Sequence, residues 1–304
     1  MADAAVLPTT RVPEREVTAS RLLLTSSKHS FDPDADIDWS MPINTGEYFV
    51  SPHRISLYGT TLWDQLSEQQ RIDLSRHELA SATSVGLWTE KILMQMFLRH
   101  LATVDPLSAH HRYGLTEIAD ECRHSMMFTR LITTLECPWY GPGRVMAQLG
   151  KVFAQISNWP LTLAGVLYVE EYTDTLQREV MADASLHPLA REVARIHVIE
   201  EARHVKYARD DFAREFADLG RVEREWTRLL LARTAYLTTE ALIHPRVYQA
   251  IGLDPYEARK VATTNPHTIA TKRWAAAKTI ALFEDNGLIG GPNKRLWRKA
   301  NLID

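Results

Sequence analysis

The chain has 304 residues, enough for one large domain or two small ones. Hydrophobic residues make up 45% and charged residues 24%, a globular mix that supports a sizeable core and argues against a disordered chain. A formal charge of −3 leaves no basic excess for nucleic acid, and two cysteines, Cys122 and Cys137, provide neither a disulfide framework nor an iron–sulfur or CxxC zinc set.

The opening MADAAVLPTTRVPEREV carries acids and prolines where a secretory leader needs a basic start and an apolar run. The longest apolar stretch, Leu161 to Val169, is too short to span a bilayer, so the sequence predicts a cytoplasmic protein without a membrane segment. Residues 1–60, rich in Pro and Asp, predict an N-terminal arm wrapped around a single helical domain over 61–304. Asp32, Asp34, Asp36 and Asp38 alternate as in a calcium loop, but Ile37 and Ile43 stand where that loop needs Gly and Glu. At Ser67 an S-x-x-Q capping signature opens a long helix reaching Ala102, with Leu87, Leu93, Met96, Phe97 and Leu101 in its apolar stripe. Helical periodicity continues over about 108–135, 143–157, 160–183, 187–219, 221–243 and 264–286, with Pro160 and Pro188 near helix starts. Strand patterns are scarce. The fold class is therefore all-α, and helices this long pack as a bundle. The basic end GGPNKRLWRKANL reads as a solvated terminal segment, and Asn265-Pro266-His267 as a turn or helix start.

Two stretches inside these helices share the pattern acid-Glu-x-Arg-His: Asp120-Glu121-Cys122-Arg123-His124 and Glu200-Glu201-Ala202-Arg203-His204. Residues three apart share a helix face, so Glu121 with His124 and Glu201 with His204 each aim an oxygen and a nitrogen one way. Glu90 precedes Glu121 by 31 residues and Glu170 precedes Glu201 by 31, which suggests a duplicated helix pair. Two Glu-x-x-His pairs plus one Glu from each of two more helices is the ligand set of carboxylate-bridged dimetal bundles. Adjacent Glu171 is the alternative to Glu170, although Leu163, Val166 and Leu167 place Glu170 on the inward face. Asp120 and Glu200, each four residues before a histidine, are positioned to accept its second N–H, and Arg123 and Arg203 to neutralise them. His197 extends the second pair to His-x-x-x-Glu-x-x-His on one face, either as a third histidine ligand or as a hydrogen-bonded core residue. Cys122 falls on the next face and reads as a buried packing thiol.

The set Glu90, Glu121, His124, Glu170, His197, Glu201 and His204 resembles the p-aminobenzoate N-oxygenase family of di-iron proteins, over roughly residues 60–245. That family adds a third histidine to the ferritin-like four-carboxylate, two-histidine set. The resemblance implies a homodimeric ferritin-like bundle whose two iron ions activate O2 and oxidise an arylamine through hydroxylamine towards nitro, with electrons from an external donor. All seven residues carry over as ligands. Neither Ser81–Thr89 nor Thr173, Asp174 and Gln177 beyond Glu170 supply a cation for an aminobenzoate carboxylate. That favours a neutral, bulkier or carrier-bound small molecule, with Arg178 and Arg195 still able to approach. A C–H hydroxylase or desaturase of an acyl substrate is the alternative on the same scaffold, and a non-catalytic ferritin-like iron-binding protein the alternative of another class.

Overall fold

The computed structural model describes residues 14–43 and 46–304, and among them the only strand-like pairing is an isolated bridge between Tyr48 and Leu186. The helices in chain order are α1 (Glu14–Ser26), α2 (Pro33–Asp36), α3 (Thr61–Gln65), α4 (Glu68–Leu101), α5 (Ala109–Thr134), α6 (Arg144–Ile156) and α7 (Trp159–Ala182). They continue as α8 (Pro188–Ala217), α9 (Arg221–Ala241), α10 (Arg246–Ala250), α11 (Pro255–Thr264), α12 (Pro266–Asp285) and α13 (Lys294–Lys299). No described helix is long and apolar enough to cross a membrane.

Local chemistry sets the ends of the long helices. Ser67 Oγ accepts from the Gln70 N–H at 3.2 Å while Gln70 Oε1 accepts from the Ser67 N–H at 3.0 Å, a reciprocal cap for α4. Ser108 caps α5 and Asn158 caps α7 by accepting from N–H groups three residues on. Pro160 and Pro188 occupy first-turn positions, where a missing N–H costs nothing. The long helices then pair: α4 lies along α5, α7 along α8, and α6 carries the chain from the first pair to the second. Helices α9 and α12 back α7. The result is the all-α bundle read from the periodicity, of the ferritin-like kind that the resemblance implies.

Two segments depart from the sequence reading. Helix α1 lies inside the stretch read as an arm, and only Thr18, Ala19, Leu22 and Ser26 of it are buried, too narrow a stripe to declare itself. Tertiary contacts hold it instead. Arg15 Nε donates to buried Asp211 at 2.6 Å, and the Glu16 carboxylate accepts from the Ala109 and His110 N–H groups that open α5. The C-terminal segment is the second departure. It is a docked element, because Trp297 is fully buried between Tyr168 and Phe283, each 6.0 Å away between ring centroids. Its basic neighbours Arg298 and Lys299 stay exposed on the other side, which is why composition alone suggested a solvated end. Trp297→Ala is expected to cost about 3–5 kcal/mol, and chemical denaturation of the full chain checks it. A change below about 1 kcal/mol would mean that α13 contributes little to the core.

Candidate metal centre

Helices α4, α5, α7 and α8 each bring acidic or imidazole side chains to the bundle axis. Three overlapping groups of buried ligand-type atoms lie within 4.8 Å of one another: His124, His197 and Glu201; Glu90, Glu170 and His197; and Glu121, Glu201 and His204. Together they contain all seven residues singled out from the sequence.

Glu121 spans the middle of the cluster. Its Oε1 lies 2.9 Å from His204 Nδ1 and its Oε2 3.1 Å from His124 Nδ1. Glu201 mirrors it, with Oε1 at 3.2 Å from His124 Nδ1 and 3.1 Å from His204 Nδ1. The duplication thus places two carboxylates across the same pair of histidines. Glu90 and Glu170 stand beside His197, whose Nε2 is 3.8 Å from Glu90 Oε1 and 3.7 Å from Glu201 Oε1. Of the adjacent glutamates, Glu170 faces the cluster. Glu171 turns away to accept from Arg209 Nε at 2.5 Å and Thr279 Oγ1 at 3.2 Å.

Each histidine is oriented through its other nitrogen, but crosswise. His124 Nε2 meets Glu200 of α8 at 2.8 Å, and His204 Nε2 meets Asp120 of α5 at 3.2 Å. The sequence reading had paired each carboxylate with the histidine on its own helix. That is corrected here, because the acid four residues back reaches across the helix interface. The arginines do neutralise these acids: Arg123 pairs with Asp120, and buried Arg203 lies 3.1 Å from Asp120 Oδ2 and 3.6 Å from Glu200 Oε1. The segment after α1 braces the set, since the Phe31 N–H donates to Glu200 and the His29 carbonyl accepts from Arg203. His197 is held by Gln177, whose Oε1 is 2.7 Å from Nδ1, so that Nε2 points its lone pair at the cluster. Cys122 is exposed, not the buried thiol expected, with Sγ 3.6 Å from Met94 Sδ.

The electrostatics of the cluster call for cations. Burial and the neighbouring Glu121 and Glu170 carboxylates push Glu90 well above the ordinary carboxylate range, and burial with Glu201 and Glu121 does the same to Glu170. Burial also acts to raise Glu121, but His204 and His124 outweigh it and hold that carboxyl well below the range. Burial and neighbouring His124 lower His197 to about 4, which keeps its lone pair free near neutrality. Glu90 Oε2, Glu170 Oε1 and His197 Nε2 are buried without a hydrogen-bond partner. Unpaired buried acceptors of this kind are rare unless something else binds them, so the residues present fit a metal pair. A buried acid beside the cluster was missed by the sequence reading. Glu117, one turn before Glu121, has an unpartnered Oε2 and is pushed well above the usual range by burial. Its four-residue spacing from Glu121 was the available signal.

A cavity of about 1240 Å³, counting its open mouth, begins at Glu90, Glu170 and His197. Phe128, Val169, Leu176 and Val180 make much of its wall, and Arg54, Glu179 and Lys272 also line it. Arg54 and Lys272 are cations that neither α4 nor α7 supplies, since they come from the segment before α3 and from α12. Arg178 and Arg195 do not line the cavity and pair with Asp174 and Glu192. Glu78 sits in the wall as well, fully buried, accepting from the Ser56 hydroxyl and from its N–H at 3.1 Å. Burial pushes Glu78 from 4.5 up to about 7. Because the folded value is raised, this group contributes stability in full below pH 4.5 and loses it as pH climbs through 7, at 1.36 kcal/mol per unit about 3 kcal/mol in all. Glu78→Gln is therefore expected to gain stability relative to the native chain between about pH 5 and pH 8. Parallel denaturation curves for the two proteins across that range would refute the assignment.

A family model described as p-aminobenzoate N-oxygenase AurF matches residues 12–287. The chain belongs to this family. Members of the p-aminobenzoate N-oxygenase family are di-iron oxygenases, so the protein is an enzyme, an oxidoreductase of the non-haem di-iron class. The chain is also similar to three mycobacterial proteins described as uncharacterized, one from Mycobacterium bovis and one from each of two Mycobacterium tuberculosis strains. Each is 26% identical over 286 residues, which covers 90% of this chain and 83% of the relative.

Proposed function

We propose that Glu90, Glu121, His124, Glu170, His197, Glu201 and His204 hold two iron ions, and that the enzyme uses O2 to oxidise the nitrogen of an amine, an arylamine above all, towards hydroxylamine and nitro. The observation that carries this reading is the convergence of three unpartnered buried acceptor atoms, on Glu90, Glu170 and His197, at the inner end of a largely apolar cavity. Carboxylates are hard ligands suited to iron in its higher oxidation state, and four of them exceed what a single tetrahedral zinc uses. Iron bound there supplies the reduction of O2 and the oxidation of the substrate. The chain's own residues do the rest. Asp120 and Glu200 fix the two Nδ1 histidines, Gln177 fixes His197, and Phe128, whose ring centroid is 5.0 Å from that of His197, keeps water off the inner end. Burial raises the Glu117 carboxyl, one turn from Glu121, well above the ordinary carboxylate range.

The substrate is a small molecule, free or carrier-bound, and the electrons come from an external donor, since Cys122 and Cys137 make no cluster site. A homodimer follows from the family reading. The test is to purify the chain with ferrous iron, count the metal, reduce it, and expose it to O2 with arylamines beside acyl substrates. About two irons per chain and an N-oxidised product support the reading. Full activity with no iron, or with one zinc, sinks it. The apolar wall also suits C–H hydroxylation of an acyl chain, and a carbon-oxidised product from the same panel would favour that chemistry. An iron-storing shell would show itself as a large particle in sedimentation and yield no oxidised organic product.

A further inference from the structure

The cavity's dimensions bear on the shape of the substrate, an inference that rests on the amine-oxidation reading above. Two helices act as rulers along its wall. On α4 the lining residues run from Glu90 back through Gly86 and Thr83 to Glu78, a span of about 18 Å at 1.5 Å per residue. On α7 they run from Glu170 through Thr173 and Leu176 to Val180, about 15 Å by the same measure. Both rulers start at the cluster and end together. Ser56 donates its N–H to Glu78 on α4, and Arg54, two residues earlier, donates from Nε to Glu179 on α7 at 2.9 Å. A single ring with a substituent at each end, such as p-aminobenzoate, reaches only about as far as Gly86, one turn or about 6 Å from Glu90.

The outer end is polar, and its two cations among the described residues, Arg54 and Lys272, are both paired. Arg54 is engaged by Glu179, and Lys272 by Glu240 at 2.7 Å. Around them stand the hydroxyls of Ser51, Ser56, Thr268 and Thr271, with the Glu78 carboxyl. A carboxylate arriving there would add a charge beside cations already neutralised by Glu179 and Glu240 and would lie near the Glu78 carboxyl, whereas a hydroxyl or amide brings no charge to desolvate.

We propose that the substrate is an elongated, largely apolar amine, with its nitrogen beside Glu90, Glu170 and His197 and an uncharged hydrogen-bonding head group between Arg54, Ser56 and Glu78.

The test is binding, measured by calorimetry on the full chain with and without iron, using 4-alkylanilines from methyl to octyl and octyl versions ending in hydroxyl or carboxylate. Affinity is expected to rise roughly fourfold per buried methylene until the tail spans the cavity. The hydroxyl-ended ligand is expected to bind about tenfold tighter than the carboxylate-ended one. Gly86 supplies a plug. A Cβ built there meets Phe128 at 3.5 Å, an ordinary contact, so Gly86→Ala serves as a folded control while Gly86→Leu fills the bore. Gly86→Leu is expected to lose at least about a hundredfold in octyl affinity and to keep 4-methylaniline within about threefold. Affinity that does not depend on tail length in the native chain overturns the proposal, as does undiminished octyl binding by a folded Gly86→Leu. Because binding is read apart from turnover, a length-dependent series that is never N-oxidised would refute the amine-oxidation reading and leave the shape of the site intact.

Discussion

Glu121→Ala is expected to reduce bound iron from about two per chain to a small fraction of one, and oxygenase turnover with it. The reason is geometric. Glu121 directs one oxygen to His124 and the other to His204, so its removal takes a donor from both histidine positions at once. His197→Ala should behave differently. It removes one nitrogen from the group with Glu90 and Glu170 while Glu121, Glu201, His124 and His204 remain in place. Its iron content is expected to fall towards one per chain, with a changed absorption spectrum in the remainder. Metal analysis and spectroscopy of the two variants, each checked for helical content, decide the point. Full iron occupancy in Glu121→Ala would remove it from the set of ligands, and native spectra in His197→Ala would return that histidine to a packing role.

Glu200→Ala should lower metal affinity by about 10- to 100-fold although Glu200 is not among the seven clustered residues. Its carboxylate lies 2.8 Å from His124 Nε2 and accepts from the Phe31 N–H, and nothing else stands ready to replace it at 0% exposure. Leaving Arg203 and His124 without that partner should also cost the metal-free chain about 3 kcal/mol. The crosswise arrangement makes a sharper prediction. In double-mutant cycles on metal affinity, measured by competition with a chelator, Glu200 should couple to His124, and Asp120 to His204. The pairs on one helix, Asp120 with His124 and Glu200 with His204, should be closer to additive. Strong coupling within one helix and none across would contradict the observed hydrogen bonds. Glu200→Gln, which keeps an acceptor oxygen, should recover part of the loss.

Both predictions depend on how two levels of information combine. Helix geometry is local: an i, i+3 relation puts Glu121 with His124 and Glu201 with His204 on one face whatever the neighbours are. Caps are local too, so Ser67 announced the start of α4, and Ser108 and Asn158 cap α5 and α7 by the same local chemistry. With the equal spacing back to Glu90 and Glu170, these rules brought the seven residues of the cluster within reach of the sequence, together with the all-α class and the family. Residues from both halves of the duplication meet at the same cluster.

Other features lay beyond that reach for a common physical reason: they depend on the register between helices and on segments far apart in the chain. Which of Glu170 and Glu171 faces the cluster depends on Arg209 and Thr279, which draw Glu171 away from the axis. The crossing of Asp120 to His204 and of Glu200 to His124 follows from how α5 and α8 are offset, which neither helix encodes alone. Helix α1 has too few apolar residues to mark itself, and it forms where Asp211 and the start of α5 supply its partners. Trp297 sits among basic residues in the sequence yet finds a buried place between Tyr168 and Phe283. The cavity is the clearest case. Arg54, Glu78, Glu179 and Lys272 are scattered over more than two hundred residues and meet only because the bundle closes. The sequence by itself determined which chemical groups line the axis, since periodicity places them there. Only the tertiary structure decided which of them face one another and how deep a substrate can lie, since those distances are set by packing between elements that no local pattern connects.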